Sequence, residues 1–275
     1  MSISRKALIT GAGGGIGSAI SRALDARGYS LILVDREMAP LDAVAATLRA
    51  APEKILCDLS SREEVERLCD RLGREHADLD VLVNNAGIVV PGAVTGLDQA
   101  ALDLHLEINL RAPIRLMRAA APLMIARRRG AMVATVSLGG VISLKDSAIY
   151  SASKFGLRGF LCGFHQELAP LGVKVSGVYP AAVDTPMLHH EALHGGSVLN
   201  FVDRVMTPED IAAATLKAID TGRLEVYSPW SASLMARLFG SFPWMIRPIL
   251  PLMEKLGEQG RRKFLARKDL SAQQH

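Results

Sequence analysis

Residues 7–17 read Ala7-Leu8-Ile9-Thr10-Gly11-Ala12-Gly13-Gly14-Gly15-Ile16-Gly17. A short apolar run feeds a glycine-rich turn, and a helical pattern follows with Ile20, Ala23 and Leu24 on one face, ending at Gly28. Strand, glycine turn and helix N-terminus in that order make a pyrophosphate site, because unpaired backbone N–H groups and the helix dipole point at the anion. The spacing is not G-x-G-x-x-G, since Ile16 falls where the last glycine would stand. It fits Thr-Gly-x-x-x-Gly-x-Gly, with Gly11, Gly15 and Gly17 in the key places. A merely flexible loop is the bland alternative, and the position between strand and helix speaks against it.

Outward from that turn, strand and helix patterns alternate. Leu31-Ile32-Leu33-Val34 ends at Asp35, about 20 residues beyond the glycines, where a carboxylate accepts hydrogen bonds from the adenosine ribose hydroxyls and repels a 2′-phosphate. That favours NAD over NADP. Arg36 is the counter-signal, because a guanidinium pairs with a 2′-phosphate. The glycine turn itself holds no Lys or Arg, so NAD is the favoured cofactor. Asp35 also reads as an N-cap for a helix over Glu37 to Arg49. Lys54 to Cys57 reads as a strand ending at Asp58, Arg62 to His76 as an amphipathic helix with Val65, Leu68 and Leu72 inward, and Leu79 to Val83 as a strand before Asn84-Asn85-Ala86-Gly87. This period predicts a parallel sheet with right-handed crossovers and a ligand at the strands' carboxyl ends. Asp58 and Asn85 fall at such ends, with plain turn formation as the alternative for each.

Leu97 to Arg129 reads as helix, with a break expected near Pro113. Asn109 stands among apolar residues, and a buried amide needs partners. Ala131 to Val136 is a strand that delivers Ser137. Tyr150 and Lys154 follow on a helix, four residues apart and so on one face. An ammonium beside a phenol is expected to lower the phenol's pKa from about 10. Ser137 and Tyr150 can then converge on one substrate oxygen, the serine with a hydrogen bond and the tyrosine with a proton.

Together these pieces resemble the short-chain dehydrogenase/reductase family. Thr10 to Gly17, Asp58, Asn84-Asn85-Ala86-Gly87, Asn109, Ser137, Tyr150 and Lys154 occur in that family's order and approximate spacing, over residues 5 to about 228. The resemblance implies a catalytic tetrad. Tyr150 is the general acid/base and Ser137 orients the substrate carbonyl or alcohol. Lys154 lowers the tyrosine pKa and holds the nicotinamide ribose, and Asn109 anchors a water in a proton relay. It also implies a dinucleotide held by Thr10, Gly11, Gly15, Ile16, Gly17, Asp35, Arg36, Asp58, Leu59, Asn85, Ala86, Gly87, Tyr150, Lys154, Pro180, Val183 and Thr185, the last at the carboxamide. One departure stands out: the family's Pro-Gly is Pro180-Ala181 here, which puts a methyl beside the nicotinamide face.

His190-Glu191-Ala192-Leu193-His194 satisfies the zinc-protease pattern His-Glu-x-x-His. It lies where the resembling family has a substrate lid, and no third ligand follows at a usual spacing. No metal is therefore expected, and His189 or His194 is left as a possible substrate contact. Thr207 reads as the N-cap of a helix to Asp220, and Leu224 to Tyr227 as the seventh strand. Residues 229–275 exceed what the fold needs. Met235, Leu238, Phe239, Phe242, Trp244 and Met245 crowd there between Arg237 and Arg247. A helix pair packed on the domain or on a neighbouring subunit is the favoured reading, with contact to a membrane surface through residues 230–275 as the alternative.

Composition narrows the classes. The chain has 275 residues, 49% of them hydrophobic, with net charge +4 and only 5% aromatics, which does not suit a nucleic-acid binder. Arg127-Arg128-Arg129 reads as a solvated helix end. Cys57, Cys69 and Cys162 show no paired spacing, which suits a reducing compartment. The apolar strand begins too near Met1 for a signal peptide, and no 18-residue apolar run exists, so a cytoplasmic location is expected, with possible peripheral membrane contact.

The expected fold is α/β: a Rossmann-type, doubly wound, seven-stranded parallel sheet with helices on both faces. Residues 1–228 form the dinucleotide-binding and catalytic domain and 229–275 a helical extension. The expected function is NAD(P)-dependent interconversion of a secondary alcohol and a ketone, on an apolar substrate such as a steroid-like, retinoid-like or long acyl compound, by a homodimer or homotetramer. An NADPH-dependent 3-oxoacyl reductase and a non-catalytic nucleotide-sensing regulator are the alternatives.

Overall fold

The alternation of apolar side chains along each strand decides which face of the sheet each helix covers. The computed structural model describes residues 5–143, 145–194 and 196–272, so the first four and last three residues of the two expected segments lie outside the described residues, as do Leu144 and Gly195. In chain order the elements run β1 (Lys6–Thr10), α1 (Gly15–Ala26), β2 (Ser30–Asp35), α2 (Met38–Ala45), β3 (Glu53–Leu56), α3 (Arg62–Glu75) and β4 (Val81–Asn84). They continue with α4 (Gln99–Leu106), α5 (Ala112–Ala126), β5 (Gly130–Thr135), α6 (Ala148–Leu168), β6 (Val173–Pro180), α7 (Pro186–His194), α8 (Pro208–Thr221), β7 (Glu225–Ser228), α9 (Trp230–Ser241) and α10 (Leu250–Ala272).

The strands form one sheet of seven in the order β3-β2-β1-β4-β5-β6-β7, every pairing parallel. Leu8, Ile32, Val34 and Leu82 point to the layer of α3, α5 and α6. Ala7, Ile9, Leu31 and Leu33 point to the opposite layer with α1 and α8. Both faces are buried, which is why the strands read as continuous apolar runs rather than as an alternation. Strand order reverses between β1 and β4, so a crevice opens at their carboxyl ends, where the glycine turn and Asn85 lie.

Several local expectations need correcting. The helix expected over Glu37 to Arg49 spans only Met38–Ala45, and its N-cap is Glu37, not Asp35. The break expected near Pro113 falls just before it, as a π-helical turn over Glu107–Arg111 between α4 and α5. Pro113 sits in the first turn of α5, where its missing N–H costs nothing. Arg127 does not end a helix freely in solvent: its guanidinium donates to the carbonyls of Asp78 and Leu79 and pairs with Asp80. The three cysteines are free thiols.

The extension is the helix pair α9 and α10, folded back over the carboxyl ends of the strands. α10 lies so close to the 3-10 turn Val198–Phe201 that a Cβ on Gly260 would stand 1.9 Å from the Phe201 carbonyl oxygen. Among the described residues no helix is long and apolar enough to cross a membrane.

Candidate active site

The glycine turn is shaped by contacts that leave no room for side chains. Gly11 has φ +62, and a Cβ there would meet the Ala86 Cα at 2.8 Å; a Cβ on Gly17 would lie 2.0 Å from the Gly11 carbonyl oxygen. Helix α1 therefore starts directly against the turn. Its N-cap, Gly14, has no side chain to satisfy the first-turn N–H groups, and no acidic side chain stands in that turn. Across the gap, Thr185 Cγ2 would lie 3.2 Å from a Gly15 Cβ. This cradle fits a dinucleotide pyrophosphate: it is uncapped, electropositive by its dipole and closed to side chains.

The rest of the nucleotide groove is built on the same scaffold. Thr10 Oγ1 accepts from the N–H groups of Asn85 at 3.1 Å and Ala86 at 3.2 Å, stitching β1 to the segment after β4. The Asn85 amide donates to the carbonyls of Thr10 and Gly11 and accepts from Thr135 Oγ1. Asp35 Oδ2 accepts from Gly13 N–H at 2.9 Å, which ties the end of β2 to the glycine turn. Arg36 points out to solvent and pairs with Glu37 Oε1 at 3.1 Å. Asp58 Oδ1 closes an Asx turn with Ser60 N–H and Oγ, and the Leu59 side chain is buried in the core, so a cofactor could meet Leu59 only through backbone. Ile16, Asn85, Gly87, Pro180, Val183 and Thr185 line one cavity of about 610 Å³.

Ser137, Tyr150 and Lys154 line the same cavity. Ser137 follows β5 with φ +146, a region costly for a serine. It is held there by its hydroxyl accepting from Gly139 N–H at 3.0 Å and its carbonyl accepting from Gly140 N–H. Tyr150 stands in the first turn of α6 with Lys154 one turn on, its Nζ 5.8 Å from the Tyr150 ring centroid and donating to the Thr135 carbonyl at 2.9 Å. Asn109 is fully buried in the π turn. It clamps the Ile88 backbone from both sides at 2.9 Å and donates to Ser153 Oγ at 3.3 Å, and Ser153 Oγ donates to the Tyr150 carbonyl at 2.6 Å. A Cβ on Gly87 would meet both Asn109 Oδ1 and Lys154 Nζ, and one on Gly139 would meet both the Tyr150 ring and Ser137 Oγ, so the side chains gather in two touching pairs.

The expected lowering of the tyrosine pKa is not what this corner does. Burial pushes the Tyr150 phenol up, to about 12; the facing Ser137 hydroxyl pulls it down by less, and the negative charge of Glu191 pushes it further up. Burial also pushes Lys154 down, to about 8. Desolvation sets the direction of both shifts.

The cavity divides into two textures. Met235, Phe239, Ile249, Leu252, Met253 and Leu256 of the extension form an apolar wall, and Glu191, Asn200, Asp203 and Arg204 form a polar edge. Glu191 turns inward from α7 and is buried; Asn200 Nδ2 donates to it at 3.0 Å, and burial pushes its carboxyl up to about 7. Its neighbours in the His-Glu-x-x-His pattern do something else: His190 and His194 stack with centroids 4.2 Å apart. His189 reaches Asp184 Oδ1 at 2.6 Å and meets Phe264 of α10 edge-on, fastening the lid to the extension. A separate cluster, Glu53, Glu75 and His76, brings ligand atoms within 4.8 Å of one another, but Arg71 pairs with both glutamates and the cluster lies at the opposite ends of the strands. Sequence reasoning missed Asn200 and Arg204, which sit on a short 3-10 turn and the loop after it with no motif to mark them.

Comparisons with known proteins bear on the family and the fold. The short chain dehydrogenase family profile matches residues 5–194. The chain is 34% identical over 213 residues to nodulation protein G of Rhizobium meliloti, covering 76% of this chain and 87% of that protein. A short-chain dehydrogenase from Sphingobium yanoikuyae, solved in complex with NADPH, superposes with TM-score 0.77 at 30% identity, covering 88% of this chain and 95% of the other. The bulky-bulky ketone specific alcohol dehydrogenase from Comamonas testosteroni superposes with TM-score 0.74 at 28% identity, covering 88% and 94%.

Proposed function

The chain belongs to the short-chain dehydrogenase/reductase family and is a nicotinamide-dependent oxidoreductase acting on CH–OH groups; from that premise we propose that it interconverts bulky apolar ketones and secondary alcohols, with NAD as the preferred cofactor. The observation that carries the proposal is the convergence of Ser137, Tyr150 and Lys154 at one end of a cavity whose far wall is apolar. Gly11, Gly15 and Gly17 would cradle the pyrophosphate, Asp35 the adenosine ribose, and Asn85, Lys154, Pro180, Val183 and Thr185 the nicotinamide half. Bound there, the nicotinamide supplies or accepts the hydride.

The chain's own residues handle the oxygen. Ser137 Oγ donates a hydrogen bond to the substrate carbonyl, and Tyr150 passes its proton to the same oxygen as negative charge develops. A phenol held at about 12 is fully protonated at neutral pH, so ketone reduction finds its acid ready. Alcohol oxidation needs the phenolate and therefore speeds up as pH rises. Asn109, through Ile88 and Ser153, positions the nicotinamide-side loop and the first turn of α6. NAD is favoured because Asp35 faces the glycine turn while Arg36 is engaged by Glu37. The Sphingobium relative holds NADPH, which makes cofactor choice worth measuring directly.

The polar edge at Glu191 and Asn200 supports a substrate with a second oxygen function remote from the reacting carbonyl. The test is absorbance of the reduced nicotinamide, with NADH and NADPH each offered a panel of bulky ketones with and without a distal hydroxyl. Turnover of the bulky ketones with NADH is expected. Turnover confined to small hydrophilic ketones, or to NADPH, would overturn the substrate or the cofactor reading respectively.

A further inference from the structure

The extension leaves an unusual surface. Nine of the fifteen large apolar side chains exposed among the described residues fall between Trp230 and Leu256, including both tryptophans of the chain, Trp230 at 64% and Trp244 at 70% exposure. Exposed apolar patches of this density on a soluble fold mark an interaction site. Charge is segregated with them. Residues 230–275 hold eight Lys and Arg against three Asp and Glu, a net +5 within a chain of net +4, so the rest of the molecule carries −1. Arg247, Lys255, Lys263 and Arg267 are exposed alongside the patch. The patch also runs into the cavity: Met235, Leu252 and Leu256 are exposed and line it at the same time.

We infer that the α9–α10 face docks on an anionic phospholipid bilayer, with the cavity mouth turned to the lipid. Tryptophan rings suit the headgroup layer, the cations suit an anionic leaflet, and the apolar side chains between them suit the acyl boundary. Docking lies in the plane of the interface, because no helix among the described residues is long and apolar enough to cross. A second copy of the chain is the rival occupant. A two-fold contact through this face would set exposed cations such as Arg247 and Lys255 against those of the other copy and close both cavity mouths, whereas a bilayer neutralises the charge and supplies apolar substrate at the opening. Passage of substrate from lipid rests on the proposed substrate class; docking does not.

Sedimentation of the full chain with vesicles tests this without any turnover. The unmodified protein is expected to pellet with mixed phosphatidylglycerol/phosphatidylcholine vesicles and to stay in solution with phosphatidylcholine alone. Trp230→Glu combined with Trp244→Glu, neither of which lines the cavity, should lower the bound fraction by at least about tenfold while turnover of a water-soluble ketone is unchanged. Arg247→Glu with Lys255→Glu should do the same and covers the case in which the tryptophan variant fails to fold. No pelleting of the unmodified protein, or pelleting that both variants leave intact, overturns the inference. Sedimentation velocity without lipid decides the rival: an oligomer that the tryptophan variant dissolves, in a protein that ignores vesicles, assigns the face to a second copy.

Discussion

Glu191→Gln isolates a single buried carboxyl whose cost can be worked from the structure. Burial holds the Glu191 carboxyl at about 7 instead of the ordinary 4.5, and Asn200 Nδ2, at 3.0 Å, offsets only part of that. The folded chain therefore keeps a proton that the unfolded chain has already released between those values. A raised pKa contributes stability that is fully present below the unfolded value and is lost as pH rises through the folded one. At about 1.4 kcal/mol per tenfold change in proton affinity, the whole displacement is worth about 3 kcal/mol, and nearly all of it is felt because the side chain is nine-tenths buried. Glutamine keeps the shape and an acceptor for Asn200 but cannot ionise. Urea unfolding of both proteins at about pH 5 and about pH 8 should show the unmodified chain losing about 2 to 3 kcal/mol more than the variant over that interval. Other titrating groups cancel in the difference. Equal pH dependence in the two proteins would mean that Glu191 is solvated, and the polar edge of the cavity would lose its basis.

Other perturbations reach the remaining parts of the site. Asp35→Ala should narrow the preference for NADH over NADPH in steady-state kinetics, and a preference for NADPH in the unmodified chain would refute the reading of Asp35 and Arg36. Asn109→Ala leaves the Ile88 N–H and carbonyl without their partner and should cost about 1–3 kcal/mol of unfolding free energy, read as a lowered denaturant midpoint, as well as turnover; an unchanged midpoint would show the clamp to be replaceable. A chelator should leave turnover untouched, and chelator-sensitive activity would bring His190 and His194 back as ligands.

Much of this architecture was legible because it is written in local backbone chemistry. The turn at Gly11 to Gly17 and the strand ends at Asp35, Asn85 and Ser137 follow from residue type and position, and the sheet topology follows from the right-handed crossovers between them. Three things were not local. The π turn around Asn109 has no propensity signature, and the nearby Pro113 drew attention to a break without revealing its form. The direction of the Tyr150 shift depends on how much water the folded cavity excludes, which the four-residue spacing to Lys154 does not encode. The destination of Glu191 is set by Asn200 on a separate turn, so the His-Glu-x-x-His spacing grouped it with the wrong partners.

Everything proposed for the chemistry passes through one phenol. Turnover of a bulky ketone by Tyr150→Phe, measured beside NADH binding by fluorescence, tests it most directly. A fall of about 10²–10⁴-fold with cofactor affinity near that of the unmodified protein is expected. Turnover that survives the loss of the hydroxyl would contradict the account, because the proton would then come from another group lining the cavity, such as Lys154 or Glu191.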